Sequence, residues 1–337
     1  MKNVSIALIG AGYVANEHAR ALRQLTEARI VAVFDAAKDR AAELAKTYET
    51  TTAGSFEEAI GKADIAWLCS PPLLHEEQIV ASLSAGRAVF CEKPLTLSPE
   101  SARRIEKAVA KSGKFVAVGH SNRYYPAYQK ARELFASGSL GSFVSVWSQR
   151  IGYYPRRMFP PWRLDTAQSG GMTVEVGVHE IDWLQWIGGD VESVFAQQAC
   201  AVINPPEFDD SLSAVVRFKS GGFGRLDLSW ASGVDIARRG ILGDKSSLMV
   251  DRFLTSVEVC PLDQPAQVIE TPSPVHTTTK ENLGFLWQAQ DVLRNLTAGK
   301  PHSVGVKEGA AAVIVARALQ ASARENRKVD VAEFAGS

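Results

Sequence analysis

The chain has 337 residues, 46% hydrophobic and 22% charged, and its 37 Lys and Arg balance 37 Asp and Glu to a net charge of zero. At roughly 150 residues per domain the length suggests about two domains, each able to bury its own core. The charge balance gives no support for a polyanion-binding surface, and no apolar run approaches the roughly 20 residues of a membrane-spanning helix.

The N-terminal MKNVSIALIGAG pairs a charge with a hydrophobic stretch, as a signal peptide does. That run is short and leads directly into a glycine pattern, so it reads as structure and the protein as cytoplasmic. VSIALIG (4–10) is a strand-like run, followed by a helical pattern from Val14 to Leu25. RIVAVFD (29–35) is a second strand, with a helix around 38–47. DIAWLCS (64–70) is a third, with a helix near 73–84. RAVFCEK (87–93) is a fourth, followed by a helix over 98–111 that starts with Ser98 as N-cap and Pro99 at its first turn. KFVAVGH (114–120) is a fifth. Apolar strands alternating with helices predict a parallel sheet covered on both faces.

After Pro126 the alternation stops. A helix is expected over 127–136, then a strand over 142–150. An aromatic and proline-rich loop, IGYYPRRMFPPWRLD, covers 151–165. The segment 170–189 reads as helical and closes on Gly188 and Gly189. Strands then follow one another over 191–203, 211–218, 223–231, 234–242 and 247–259, which predicts an antiparallel or mixed sheet. Helices near 281–298 and 305–324 end the chain. The expected division is a dinucleotide-binding domain over 1–122 and a substrate and assembly domain over 123–337, whose C-terminal helix is a candidate to return to the first domain. The four cysteines, Cys69, Cys91, Cys200 and Cys260, lack metal-like or redox-like spacing and read as small reduced core residues.

GAGYVA places Gly10, Gly12 and Ala15 in a GxGxxA turn between the first strand and its helix, with Asp35 ending the next strand. Alone the glycines are weak evidence; in this context they form the dinucleotide fingerprint. Gly10 permits the turn, Gly12 lets backbone N–H groups approach a pyrophosphate, and Ala15 allows close helix–strand packing. Asp35 can accept hydrogen bonds from both adenosine ribose hydroxyls and repels a 2′-phosphate, which favours NAD over NADP. No arginine follows it directly; Ala36, Ala37 and Lys38 come next.

Glu175, His179 and Asp182 fall at i, i+4 and i+7 of one helical pattern. An amphipathic helix with a solvated acidic edge is the plain alternative. A metal site is not expected, because no second histidine completes a zinc-binding set.

These segments together resemble the Gfo/Idh/MocA family (glucose–fructose oxidoreductase, inositol 2-dehydrogenase, rhizopine catabolism) over nearly the whole chain. The matching segments are GAGYVA, CSPPLLH (69–75), CEKP (91–94), GHSNRYYP (119–126) and GGMTVEVGVHEID (170–182). The resemblance implies a doubly wound Rossmann domain followed by an α/β domain with a large, open, mostly antiparallel sheet. The exposed face of that sheet would serve a homodimer or homotetramer. It implies Lys93 and His179 as the catalytic pair. Glu175 stands where many members have aspartate, so its catalytic role carries over only weakly. Cofactor contacts would come from Gly10, Gly12, Tyr13, Val14, Ala15, Asp35, Ser70, Pro71, His75, Glu92, Lys93 and Asn122. Substrate contacts would come from Lys93, Arg123, Trp162, Arg163 and His179, with Tyr153, Tyr154, Arg156 and Arg157 nearby in sequence.

Lys93 precedes a proline, so its backbone is extended and its side chain leaves the carboxyl end of a parallel strand, where doubly wound sheets bind ligands. Oxidising a carbinol needs a base for the hydroxyl proton. Histidine, near 6.5 when unperturbed, suits that task better than lysine near 10.4. His179 is therefore assigned as the acid/base and Lys93 as the group that polarises the substrate oxygen; the swap stays open. The Lys93–Pro94 bond is a candidate for the cis form. The expected activity is hydride exchange between NAD and a sugar, inositol or related polyhydroxy compound. The competing readings are a glycosidase that uses NAD for transient oxidation and a cofactor-bound regulator without chemistry.

Overall fold

The computed structural model describes residues 3–153, 160–202, 208–276 and 281–335. The chain forms two compact units. One comprises Met1–Thr96, Glu100–Ser121 and Val275–Ala310; the other comprises Leu97–Pro99, Asn122–Pro274 and Ala311–Ser337.

The first unit opens with β1 (Val4–Ile9), α1 (Tyr13–Arg23), β2 (Ala28–Phe34), α2 (Lys38–Thr47), α3 (Phe56–Gly61) and β3 (Ile65–Leu68). A single 3-10 turn over Pro72–Leu74 leads into α4 (His75–Ser84), β4 (Ala88–Glu92), α5 (Pro99–Ser112) and β5 (Val116–Gly119). The five strands form a parallel sheet in the order β2-β1-β3-β4-β5. The order reverses between β1 and β3, the place where such sheets bind ligands beyond their carboxyl ends.

Alternate residues of each strand feed opposite cores. Ile6, Leu8, Trp67 and Phe90 pack with Ala15, Ala19 and Leu22 of α1 and Leu44 of α2. Ala7, Ile9, Leu68, Val89 and Cys91 pack with Ile60, Ile79, Leu83 and Ile105 on the other side. A strand buried on both faces has no polar side to alternate, which is why these strands read as continuous apolar runs.

The second unit contains α6 (Pro126–Ala136), β6 (Phe143–Tyr153), α7 (Pro161–Leu164), α8 (Thr166–Ser169), α9 (Met172–Glu175) and α10 (Gly177–Gly188). Strands β7 (Val191–Ala199), β8 (Ser211–Phe218), β9 (Phe223–Ser229), β10 (Ala231–Gly243), β11 (Ser246–Val250), β12 (Ser256–Pro261) and β13 (Gln267–Glu270) follow. Next come α11 (Leu283–Thr297), whose Ala289, Val292 and Leu293 join the first unit's core, and α12 (Val306–Glu325). A short β14 (Val329–Asp330) and α13 (Ala332–Ala335) end the described chain. The second sheet has the order β13-β12-β11-β10-β6-β9-β8-β7-β14 and is antiparallel except for the β6–β9 pair. Leu212, Ala214, Val216 and Phe218 of β8 face a core shared with Ile181 and Leu184 of α10 and Leu319 of α12. On the opposite face Phe195, Val215 and Phe223 are between a third and a half exposed. No described helix is long and apolar enough to cross a membrane.

The structure departs from the sequence expectations at three places. The single strand over 247–259 is two, β11 and β12, because Asp251 turns the chain by accepting from the Thr255 and Ser256 amides at 2.7 Å each. The single helix over 170–189 is split at Val176 into α9 and α10. The stretch between residues 47 and 64, to which the sequence assigned no element, carries α3, whose N-cap Ser55 accepts from the Glu58 amide at 3.1 Å.

Candidate active site

The glycine turn of the first unit is shaped by two constraints. Gly10 has φ +98°, and a Cβ there would lie 2.7 Å from the Cys69 carbonyl oxygen, so both conformation and close approach exclude a side chain. Gly12 is the N-cap of α1; a Cβ there would meet nothing within 4 Å. No side chain caps α1 and no acidic residue lies in its first turn. Open space at Gly12 in front of an uncapped helix start fits a dinucleotide pyrophosphate. Ala15 is fully buried against the sheet, Val14 is half-buried, and Tyr13 is 77% exposed.

Asp35 closes the turn from the end of β2. One carboxylate oxygen accepts the Ala11 amide at 2.7 Å; the other accepts the Ala37 amide at 2.7 Å and the Arg40 guanidinium at 3.0 Å. Arg40 escaped the sequence reading, which looked only at the residues immediately after Asp35. Helix α2 places it one turn further on.

The third and fourth strands end in the same region. Ser70 donates to Gln78 Oε1, and Pro71 precedes the 3-10 turn. His75 is fully buried, with Nδ1 2.9 Å from the Pro94 carbonyl and Nε2 2.9 Å from the Ser70 carbonyl. It therefore ties the exits of β3 and β4 together, and burial holds its imidazole below the ordinary histidine range, against the opposing pull of the carbonyls. Glu92 is the last residue of β4 and is buried. Its Oε2 accepts the Lys93 amide at 3.0 Å and its Oε1 accepts from His18 Nε2 at 2.8 Å. Lys93 is half-buried, and the Lys93–Pro94 bond is cis. Gly10, Asp35, Ser70 and Lys93 thus gather at the carboxyl edge of one sheet.

In the second unit, the double glycine opens α9. Gly171 has φ +83°, and a Cβ there would lie 2.2 Å from Asp209 Oδ1. That carboxylate accepts the Met172 and Thr173 amides at 2.9 Å each, and also bonds the Thr173 hydroxyl. Burial raises Asp209, and the Thr173 bonds oppose the rise. Asp209 is a residue that sequence reasoning missed, since only the fold brings it to this helix start.

From Ser169 to Leu184 every residue is buried except His179, which is half-buried in the first turn of α10. The carboxylates expected to flank it are engaged by arginines. Glu175 accepts from Arg163 Nη2 at 2.8 Å, and Asp182 holds Arg123 bidentately at 2.9 and 2.7 Å. Both arginines also lie over indoles, Arg163 over Trp230 and Arg123 over Trp186. Arg123 and Arg163, expected as substrate ligands, thus lock the helix and its carboxylates, though each keeps some exposure. Trp162 is half-buried in α7, and Tyr153 is exposed at the end of β6. Asn122 Nδ2 is buried with no partner among the described residues. Tyr154, Arg156 and Arg157 lie outside the described residues.

Behind His179, the adjacent Glu180 is fully buried. It accepts from Ser148 Oγ at 2.5 Å, from Arg239 Nε at 2.6 Å and from Arg150 Nη1 at 3.4 Å. Burial pushes Glu180 up, opposed by Arg150 and Ser148, and pulls Arg239 down to about 9. This cluster fastens α10 to β6 and β10. The sequence signal for it was slight: arginines inside strands, Arg150 in β6 and Arg239 in β10.

Known proteins match both units. Residues 4–120 match the model described as an oxidoreductase family with an NAD-binding Rossmann fold, and residues 128–249 match the GFO/IDH/MocA C-terminal domain. The D-glucoside 3-dehydrogenase of Escherichia coli is 30% identical over 266 residues, 72% of this chain and 75% of that protein. The myo-inositol 2-dehydrogenase of Thermotoga maritima is 25% identical over 340 residues, 98% of this chain and 99% of that protein. Among solved structures, levoglucosan dehydrogenase in complex with NADH and levoglucosan shares the fold with a TM-score of 0.90 at 19% identity. The match covers 98% of this chain and all of that one.

Proposed function

The chain belongs to the GFO/IDH/MocA oxidoreductase family, and from that premise we propose that it moves a hydride between NAD and a sugar, an inositol or a related polyhydroxy compound. The observation that carries the site assignment is His179, the one residue between Ser169 and Leu184 that is not buried. A bound NAD would supply the hydride acceptor, and this chain's residues handle the proton and the geometry. We assign His179 as the base for the hydroxyl proton and Lys93 as the group that polarises and positions the substrate oxygen. Glu175, held by Arg163, fixes the approach to His179 rather than exchanging protons. The unit of Met1–Thr96, Glu100–Ser121 and Val275–Ala310 holds the cofactor, and the other unit supplies the substrate side.

NAD is preferred over NADP because Asp35 presents a carboxylate where a 2′-phosphate would have to lie. Arg40 partly offsets that charge. Titrating both cofactors by tryptophan fluorescence tests this, and tighter binding of NADP would overturn it. The exposed face bearing Phe195, Val215 and Phe223 supports assembly through the second sheet. Light scattering should report a dimer or tetramer; a monomer at micromolar concentration would refute it.

A screen of sugars and inositols for NADH absorbance identifies the substrate. With it in hand, Lys93→Ala and His179→Ala should each lower turnover by roughly 10²–10⁴-fold while leaving NAD affinity nearly intact. Near wild-type turnover in either variant would overturn the assignment of that residue.

A further inference from the structure

We infer that His18 is a positioning residue for Lys93, acting through Glu92. The inference rests on the reading of Lys93 given above. His18 is fully buried, and its ring is walled by Trp67, Phe90 and Phe285 at centroid distances of 5.5, 5.0 and 4.8 Å, all edge-on. Its Nδ1 has no partner among the described residues. Three aromatic rings make an apolar setting, and an imidazole with one orphaned nitrogen is buried there at a cost. What a leucine would lack is Nε2, which donates to Glu92 Oε1 at 2.8 Å.

Glu92 carries that bond to the reacting end of the strand. Its second oxygen accepts the Lys93 amide at 3.0 Å, so the carboxylate spans from His18 to the peptide that aims the lysine. Its place is tight: a Cβ on Gly119 of the neighbouring strand would lie 2.8 Å from Glu92 Oε1. With both oxygens engaged in a slot that only glycine permits, Glu92 has one orientation while His18 holds it. Its burial and its two protein donors make it a link between His18 and Lys93.

His18 also lies on α1, five residues beyond Tyr13, so it stands about 7.5 Å along the helix whose N-terminus meets the dinucleotide. One rigid element thus carries the cofactor cradle and the strut beneath the lysine. Removing the strut should disturb Lys93 and spare the cradle, which separates turnover from cofactor binding.

The test uses the full chain, NAD, and the polyol found by the screen. His18→Leu fills the aromatic pocket and removes the donor. It should lower kcat by about 10²-fold, the scale of a misplacement near 1 Å, with NAD affinity within about 3-fold. His18→Gln, whose amide nitrogen can reach the place of Nε2, should recover most of the loss. In a Lys93→Ala background, His18→Leu should add little further loss, because its effect passes through the lysine. Should His18→Leu not fold, Glu92→Leu against His18→Gln makes the same comparison: the first loses kcat with NAD affinity retained, and the second does not. Turnover of His18→Leu within about 3-fold of wild type would overturn the inference. So would the same fractional loss with and without Lys93, and so would a kcat loss in His18→Gln equal to that in Glu92→Leu. If Lys93→Ala alone turned over normally, the reading of Lys93 would fail first, by a result that does not involve His18.

Discussion

Gly171→Ala should be among the most damaging single-methyl changes in the second unit. Gly171 has φ +83° and ψ 174°, a region essentially reserved for glycine, where any side chain costs about 1–3 kcal/mol. The added Cβ would also sit 2.2 Å from Asp209 Oδ1. The carboxylate must then retreat from the Met172 and Thr173 amides it holds at 2.9 Å. Hydrogen bonds to a charged acceptor contribute about 1.5–3 kcal/mol each, so weakening this pair costs about 2–3 kcal/mol more. The sum is about 4 kcal/mol, a large share of a typical stability of roughly 5–15 kcal/mol. At about 2–4 °C per kcal/mol, Tm should fall by roughly 10 °C. Gly138→Ala is the control. Its φ is +76° in the same unit, and a Cβ there meets nothing within 4 Å, so it carries backbone strain alone. It should cost only about 1–2 kcal/mol. The assay is urea and thermal unfolding followed by tryptophan fluorescence, with turnover measured on the folded fraction. Equal losses in the two variants would refute the argument that Asp209 and Gly171 are built around each other.

Glu180→Gln leaves the buried Arg239 without its carboxylate and should destabilise the protein by about 3–5 kcal/mol; a urea midpoint unchanged from wild type would contradict this. Burial lowers His75, so the unfolded chain takes up a proton that the native site resists. Its contribution to stability is therefore complete above the unfolded value of about 6.5 and is lost as pH falls from there toward the lowered native value. His75→Asn should flatten the urea midpoint between about pH 7 and 5.5, and an unchanged slope would remove His75 as its source. Burial also raises the Cys91 thiol well above its ordinary value, whereas Cys200 is exposed. A thiol reagent at mildly alkaline pH should label Cys200 on the native protein and Cys91 only after unfolding; early labelling of Cys91, read by peptide mass, would contradict that burial.

The sequence by itself determined the elements whose signals are local. Strands β1 to β5 were legible because burial on both faces demands unbroken apolar runs, and α2 and β8 have the bounds that periodicity gave them. The conformations at Gly10 and before Pro94 were legible as well, since each constraint lies in the local backbone. The N-cap of α3 was also written locally, as a serine three residues before a glutamate, but it stood in a stretch that was assigned no element. Tertiary structure decided which charges meet. Periodicity put Glu175, His179 and Asp182 on one face, yet a break at Val176 and two distant arginines give the carboxylates other partners. Arg40 on Asp35, Asp209 on the start of α9, Glu180 on Arg239 and His18 on Glu92 join residues between 5 and 74 positions apart. Three of these four are long-range. A buried polar group must find a partner wherever the fold supplies one, and sequence spacing records that choice only when the partner lies within a turn or two.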